Sequence, residues 1–185
     1  MHAALTMKSL DAREFRNALS HFATGVVIAT ANCHGQLLGT TISSFNSVSL
    51  LPPLVLFSIA RSALGLDLWR TADSYGVTVL AEHQTELSNR FARSGLDKFA
   101  DLHFGAMDNG APLFPDWLAY FECEPYARHD GGDHEIFVGC VTSFRYRPQT
   151  EVARPLIFFK GKYRSLASTD SIQSPSDLDV WLHAW

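Results

Sequence analysis

Arg128-His-Asp-Gly-Gly-Asp-His-Glu-Ile-Phe-Val-Gly-Cys-Val141 is the stretch whose reading decides the fold. Two glycines between aspartates supply the positive φ and local hydrogen bonding of a tight hairpin turn. Beyond the turn, Ile136, Val138 and Cys140 alternate with Phe137, Gly139 and Val141, the period-two pattern of a strand with two buried faces. A structural hairpin needs the glycines but not the histidines, and His129, Asp130, Asp133, His134 and Glu135 crowd around them. His129 and His134 flank the turn and are expected to face each other across the hairpin mouth. Three readings stand at this point: a metal site completed by the neighbouring carboxylates, the wall of a ligand pocket, or two ordinary surface histidines.

Working outward, similar short β-branched runs recur on both sides. Val26 to Thr30 reads as a buried strand turned by Asn32-Cys-His-Gly35 into a second. Gly39 to Ser49 is strand-like and loaded with hydroxyls, a composition that lets small polar groups and backbone N–H approach a heterocycle or phosphate closely, or simply solvates an edge strand. Leu54 to Ile59, Tyr75 to Leu80, Ala119 to Arg128, the hairpin strand to Arg147, and Leu156 to Lys160 complete the set. Six to eight short strands, spaced too tightly for β–α–β crossovers, predict a mainly β protein: a small antiparallel barrel with helices at its rim.

The helices are few. Asp11-Ala-Arg-Glu14 has the form of a capping box opening a helix to about Phe22, with Phe15, Ala18, Leu19 and Phe22 on one stripe expected to face the core. Arg61-Ser62 is expected to open a second helix to about Arg70, burying Leu64, Leu68 and Trp69 and presenting an anion-binding N-terminus. Thr85 to Arg93 reads as a third, bearing Leu87 and Phe91. Ser165 to Ser176 reads as a polar tether, followed by a capped helix from Ser174 to Trp185 with Leu178, Trp181, Leu182 and Trp185 on one stripe. The expected organisation is therefore one domain over 1–166 and a tail over 167–185.

Composition narrows the function classes. At 185 residues, 46% hydrophobic and 18% charged, the chain can bury one substantial core. A net charge of −4 without any Lys/Arg run argues against nucleic acid as a partner. Three widely spaced cysteines suit free thiols in a reducing cytoplasm. The first residues carry no secretory apolar region, and Pro52-Pro53 breaks the longest apolar run, so no membrane span is expected. There is no Gly-x-Gly-x-x-Gly, no phosphate-loop lysine and no Gly-x-Ser-x-Gly elbow.

The order of these pieces resembles the flavin reductase-like family. The resemblance is carried by Phe15-Arg-Asn-Ala-Leu-Ser-His-Phe-Ala-Thr-Gly-Val26, by Ser43-Ser-Phe-Asn-Ser-Val-Ser-Leu-Leu-Pro-Pro-Leu-Val-Leu-Phe57, and by Arg90-Phe-Ala92 with Asp97-Lys-Phe99. Ala127 to Gly139 and Phe158-Phe-Lys-Gly-Lys-Tyr-Arg-Ser165 carry the rest, so the match runs from about residue 12 to 166. It implies an FMN-binding-type split barrel, a homodimer, that reduces FMN or FAD with NADH or NADPH. It also implies transient hand-over of reduced flavin to a partner monooxygenase.

Residue by residue, the resemblance places Thr41, Ile42, Ser43, Ser44, Ser47 and Val48 along the isoalloxazine edge. Ser58, Ile59, Ala60, Arg61, Ser62 and Leu64 fall along the ribityl phosphate, and Phe91, Arg93 and Lys98 near the rest of the flavin. Asp133, His134, Lys160 and Tyr163 fall on the nicotinamide side. Ala63, Leu64 and Gly65 stand where further Ser or Thr are usual, which leaves FMN and FAD both open. His134 is cast as the positioner of the nicotinamide carboxamide, with Asp133 setting its tautomer. Two rivals fit the same resemblance: a non-catalytic flavin- or haem-binding barrel, and a flavoenzyme that keeps its flavin and acts on a substrate directly.

Overall fold

The computed structural model describes residues 10–95, 97–148 and 154–166. The expected C-terminal tail, 167–185, lies outside the described residues. The chain begins with helix α1 (Ala12–Leu19) and strands β1 (Thr24–Gly25), β2 (Val27–Cys33), β3 (Gln36–Ile42), β4 (Asn46–Leu50) and β5 (Pro53–Ala60). Helix α2 (Leu66–Thr71), β6 (Tyr75–Val79) and α3 (Thr85–Ala92) follow, then the two-residue strands β7 (Gly105–Ala106) and β8 (Pro112–Leu113). The long hairpin β9 (Ala119–Gly131) and β10 (His134–Tyr146) precedes a small one, β11 (Ile157–Phe159) and β12 (Lys162–Arg164). The twelve strands among the described residues exceed the expected six to eight because several elements are two or three residues long, below the length at which alternation can be read.

One seven-stranded antiparallel sheet runs in the order β3-β2-β6-β9-β10-β5-β4, and a three-stranded sheet in the order β1-β11-β12. Val26 joins them. Its N–H donates to the Leu156 carbonyl while its own carbonyl accepts from Leu80, and Leu156 N–H donates to Leu80. The chain thus changes sheet at Val26, which gives the Thr24-Gly25-Val26 segment a role in closing the split barrel. The β9–β10 hairpin closes through Gly132 and Asp133, with Gly131 opposite His134. Gly132 has φ +77°, placing glycine at the first central position of a two-residue turn as a type II′ geometry requires.

Two aromatic clusters fill the interior. Phe57 and Phe137 stack at 5.4 Å and 5°, with Trp69 and Tyr75 meeting Phe57 edge-on. Phe91 packs on Phe99 and Phe114 at 5.1 and 4.8 Å beneath α3. Offset and edge-to-face arrangements of this kind add to the burial energy of each ring.

Several expectations need correction. Asp11 caps α1 as expected, accepting from Arg13 N and Glu14 N, but the stripe does not face the core. Phe15 and Leu19 are more than half exposed, and Phe22, beyond the end of the helix at Leu19, is 78% exposed; nothing among the described residues covers this apolar face. Gly39 to Ser49 is not one strand: β3 ends at Ile42, the chain bends at Ser43, and β4 resumes at Asn46 on the opposite edge of the sheet. The second helix starts at Leu66 rather than Arg61, burying Leu66 and Trp69 and leaving Leu64 exposed. Arg61-Ser62 lies in the preceding turn, so no helix N-terminus supports it.

Candidate functional site

The hairpin turn stands against the end of β5. His134 pairs with Ala60, Glu135 with Ile59 and Ile136 with Ser58. The segments expected to meet the nicotinamide and the flavin phosphate are therefore neighbouring strands. Arg61 N donates to the Asp133 carbonyl at 2.9 Å, extending that pairing around the turn. The Arg61 guanidinium wraps the other side: Nε donates to the Gly132 carbonyl at 2.9 Å and Nη2 to Asp130 Oδ1 at 2.7 Å. Asp130 Oδ1 also accepts from Gly132 N at 3.1 Å. Together these contacts hold the Asp130 carboxyl below its usual range, Arg61 being the larger cause.

His134 Nδ1 lies 2.7 Å from Asp133 Oδ1. A carboxylate only accepts, so Nδ1 carries the proton and Nε2 is the nitrogen left for a ligand. The same contact lowers the Asp133 pKa. His129 does not sit opposite His134; it pairs with Ile136, two positions further along the ladder. The expected juxtaposition across the mouth is corrected by the register, since Gly131 occupies the place opposite His134. Among the described residues no group of three or more His, Cys, Asp or Glu comes together as metal ligands would.

Glu135, read from the sequence only as a carboxylate that could complete a metal shell, has a different setting. It points to the buried face shared with Phe137, with only 10% of its side chain exposed. Arg70 Nε and Nη2 donate to its Oε2 at 3.0 and 2.7 Å. Arg61 Nη1 approaches the same oxygen at 3.6 Å and Arg128 Nη1 approaches Oε1 at 3.8 Å. Arg70, foremost, holds this carboxyl below its ordinary value despite the opposing effect of burial. One clue was in the sequence: a glutamate on the apolar side of an alternating strand. Its three arginines, at 61, 70 and 128, left no local signal.

A second cluster supports the hydroxyl-rich segment. Thr41 Oγ1 donates to the Ser88 carbonyl at 2.7 Å, and Ser88 Oγ pairs with Tyr163 Oη at 2.8 Å. Tyr163 Oη also donates to Asn89 Oδ1 at 3.1 Å. Ser44 Oγ accepts from Ser58 N at 3.0 Å, fastening the bend at Ser43 to β5. Ser43, Ser47 and Val48 are exposed, while Ile42 packs on the core. Lys160 lies at the β11–β12 turn with its N–H on the Ser20 carbonyl. Lys160 and Tyr163 thus belong to the three-stranded sheet, and His134 to the seven-stranded one.

Between β3, α2 and the end of α3 opens a cleft of about 360 Å³. Of the residues assigned to the flavin, Ile59, Leu64, Arg93 and Lys98 line it, and so do Leu38, Thr40, Trp69 and Phe99. Phe91 does not reach the cleft: it is fully buried beneath Gly39. Lys98 is half-buried, its Nζ donating to the Gly39 and Phe91 carbonyls at 3.0 Å each, and burial lowers its pKa. Arg93 is exposed at the rim, with no ion-pair partner among the described residues. Apolar walls with two cations suit a flat ring system bearing a phosphate, so the residues present fit a flavin.

The chain is similar to known flavin reductases in sequence and in fold. The flavin reductase like domain matches residues 19–167. The chain is 42% identical over 153 residues to the FMN reductase (NADH) SmoA of Agrobacterium fabrum, covering 83% of this chain and 85% of that protein. It is 33% identical to HsaB, the reductase subunit of a flavin-dependent monooxygenase in Rhodococcus jostii, covering 97% and 91%. Among solved structures, the Streptomyces globisporus NADH:FAD oxidoreductase SgcE6, in complex with NAD and FAD fragments, superposes with a TM-score of 0.81 at 30% identity. That superposition covers 87% of this chain and 96% of SgcE6.

Proposed function

Since the chain belongs to the flavin reductase-like domain family, we propose that it is an NAD(P)H-dependent flavin reductase supplying reduced flavin to a partner monooxygenase. The bound nicotinamide and flavin provide the hydride donor and acceptor; the protein's part is to align them and shape the electrostatics. The observation that carries this reading is the hairpin turn pinned against β5 with His134 Nδ1 committed to Asp133. With Nδ1 on Asp133, His134 then turns Nε2 to the carboxamide of the nicotinamide.

The backbone from Thr41 to Ser44, with Ser47 and Val48, lies along the isoalloxazine edge, where N–H donors suit the negative charge that develops on reduction. The stretch from Ser58 to Leu64 follows the ribityl phosphate through Ser62 and its main chain. Arg93 and Lys98 flank the remainder of the flavin, with Phe91 supporting the floor. Lys160 and Tyr163 complete the nicotinamide side. Two copies assemble, covering Phe15, Leu19 and Phe22, an apolar face of the kind that marks an interface.

Oxidation of NADH and NADPH is followed with and without added FMN or FAD. Turnover that depends on added flavin is the expected result. Turnover with no added flavin, on flavin retained through purification, or no turnover at all, would overturn the reading. His134→Ala should raise the KM for NADH by about tenfold, the loss of one hydrogen bond to a ligand, while flavin affinity holds. A collapse of flavin binding with an unchanged KM for NADH would reject the assignment of His134.

A further inference from the structure

The Arg61 side chain stands in the segment assigned to the flavin phosphate, yet its donors point to the hairpin. Nε is on the Gly132 carbonyl, Nη2 on Asp130, and Nη1 faces Glu135. With its N–H on the Asp133 carbonyl as well, this one residue grips the turn from both sides. Behind it, Glu135 is held by Arg70, so the base of the grip is a partly buried ion pair. Asp130 completes the grip from β9 and also caps Gly132 N. The residue gripped, Asp133, is the one that orients His134.

We propose that Arg61 and Asp130, backed by Glu135, form a clasp that sets the Asp133–His134 turn, making them positioning residues for the nicotinamide rather than phosphate ligands. This rests on the placement of the nicotinamide at His134. The clasp acts by geometry. Without it, the turn keeps its glycine-driven shape but the His134 ring samples positions from which Nε2 misses the carboxamide, and small misplacements of an aligning group carry large rate penalties. Since Arg61 also belongs to the β5 end that runs along the flavin, the clasp ties the two binding segments to each other.

Asp130 is the residue to change, because its side chain is 81% exposed and its loss leaves the core intact. With NADH as the donor and FMN saturating, Asp130→Asn should raise the KM for NADH about threefold to fivefold, the range of one exposed charged contact. FMN affinity should hold within about twofold, against a near-unchanged melting temperature. Asp130→Glu, which restores the carboxylate, should recover part of the effect. Asp67→Asn, which removes the other partner of Arg70 away from the turn, should leave the KM unchanged.

The His134→Ala background separates the possible failures. If the clasp works through His134, Asp130→Asn adds nothing in that background. If His134→Ala raises the KM but Asp130→Asn does not, or if the two effects multiply, the clasp is refuted alone. If His134→Ala leaves the KM unchanged, the pocket assignment falls and the clasp with it. A loss of FMN affinity in Asp130→Asn equal to the loss for NADH would return Arg61 to the phosphate and overturn the proposal.

Discussion

Gly39→Ala probes the packing beneath the cleft. A Cβ at residue 39 would lie 2.4 and 2.6 Å from two ring carbons of Phe91 and 3.1 Å from Phe99. Ordinary carbon contacts sit at about 3.5–4.0 Å, so the overlap with Phe91 is roughly 1 Å. That ring is fully buried and wedged between Phe99 and Phe114, so it cannot withdraw without moving two neighbours. Overpacking of this kind costs about 1–3 kcal/mol, and the tightness here argues for the upper end. Against it stands about 0.4–1 kcal/mol from the reduced freedom of the unfolded chain, since Gly39 needs no positive φ. The net loss is about 2 kcal/mol, or roughly 4–8 °C in Tm for a chain of this size.

Calorimetry on the parent, Gly39→Ala, Phe91→Leu and the double variant completes a cycle. Phe91→Leu opens space where the new methyl would go, so Gly39→Ala should be neutral or mildly stabilising in that background. The coupling between the two positions should then reach about 2 kcal/mol, within the range for residues in direct contact. A Tm for Gly39→Ala within about 1 °C of the parent, a shift of only a fraction of a kcal/mol, would refute the reasoning. So would strict additivity. Because Gly39 O also accepts from Lys98, the same variant should weaken FMN binding.

Two further predictions concern titration. The carboxyls of Glu135, Asp130 and Asp133 are held below their ordinary values by Arg70, Arg61 and His134 respectively. A depressed folded-state pKa gives stability that is complete above the ordinary carboxylate range, near pH 4, and lost as pH falls through the folded value. The urea midpoint should therefore hold from about pH 7 to 5 and drop below about 4, with Glu135→Gln less stable at neutral pH and flatter in acid; an unchanged acid slope in that variant would count against the Arg70 pairing. The Cys123 thiol is 1% exposed and pushed up to about 12, chiefly by burial. At pH 8 a thiol reagent should spare it in the folded protein and modify it on unfolding; rapid labelling of the native state would refute that burial.

Much of the placement of strands along the chain was legible because it rests on local chemistry. Gly132 between β9 and β10 and the alternation after it are written into adjacent residues, as is the Asp11 cap on α1. The errors share a cause. The α1 stripe has the right period, but a period says only that one face is apolar, not what covers it. The helix expected at Arg61 starts five residues later, because the chain first turns to bring Arg61 against the hairpin. Phe91 looked like a ligand neighbour and is instead the floor under Gly39, a distinction of depth that no linear pattern carries.

By itself, then, the sequence determined the β class, the hairpin turn and the family to which its motifs belong, since each depends on residues a few positions apart. Tertiary structure alone decided which side chains act together. Arg61, Arg70 and Arg128 converge on Glu135 from the turn after β5, from α2 and from β9, and Ser88 reaches both Thr41 and Tyr163. Such groupings arise where strands distant in sequence fall into register, and a buried carboxylate must find its partners there because desolvation leaves it no alternative.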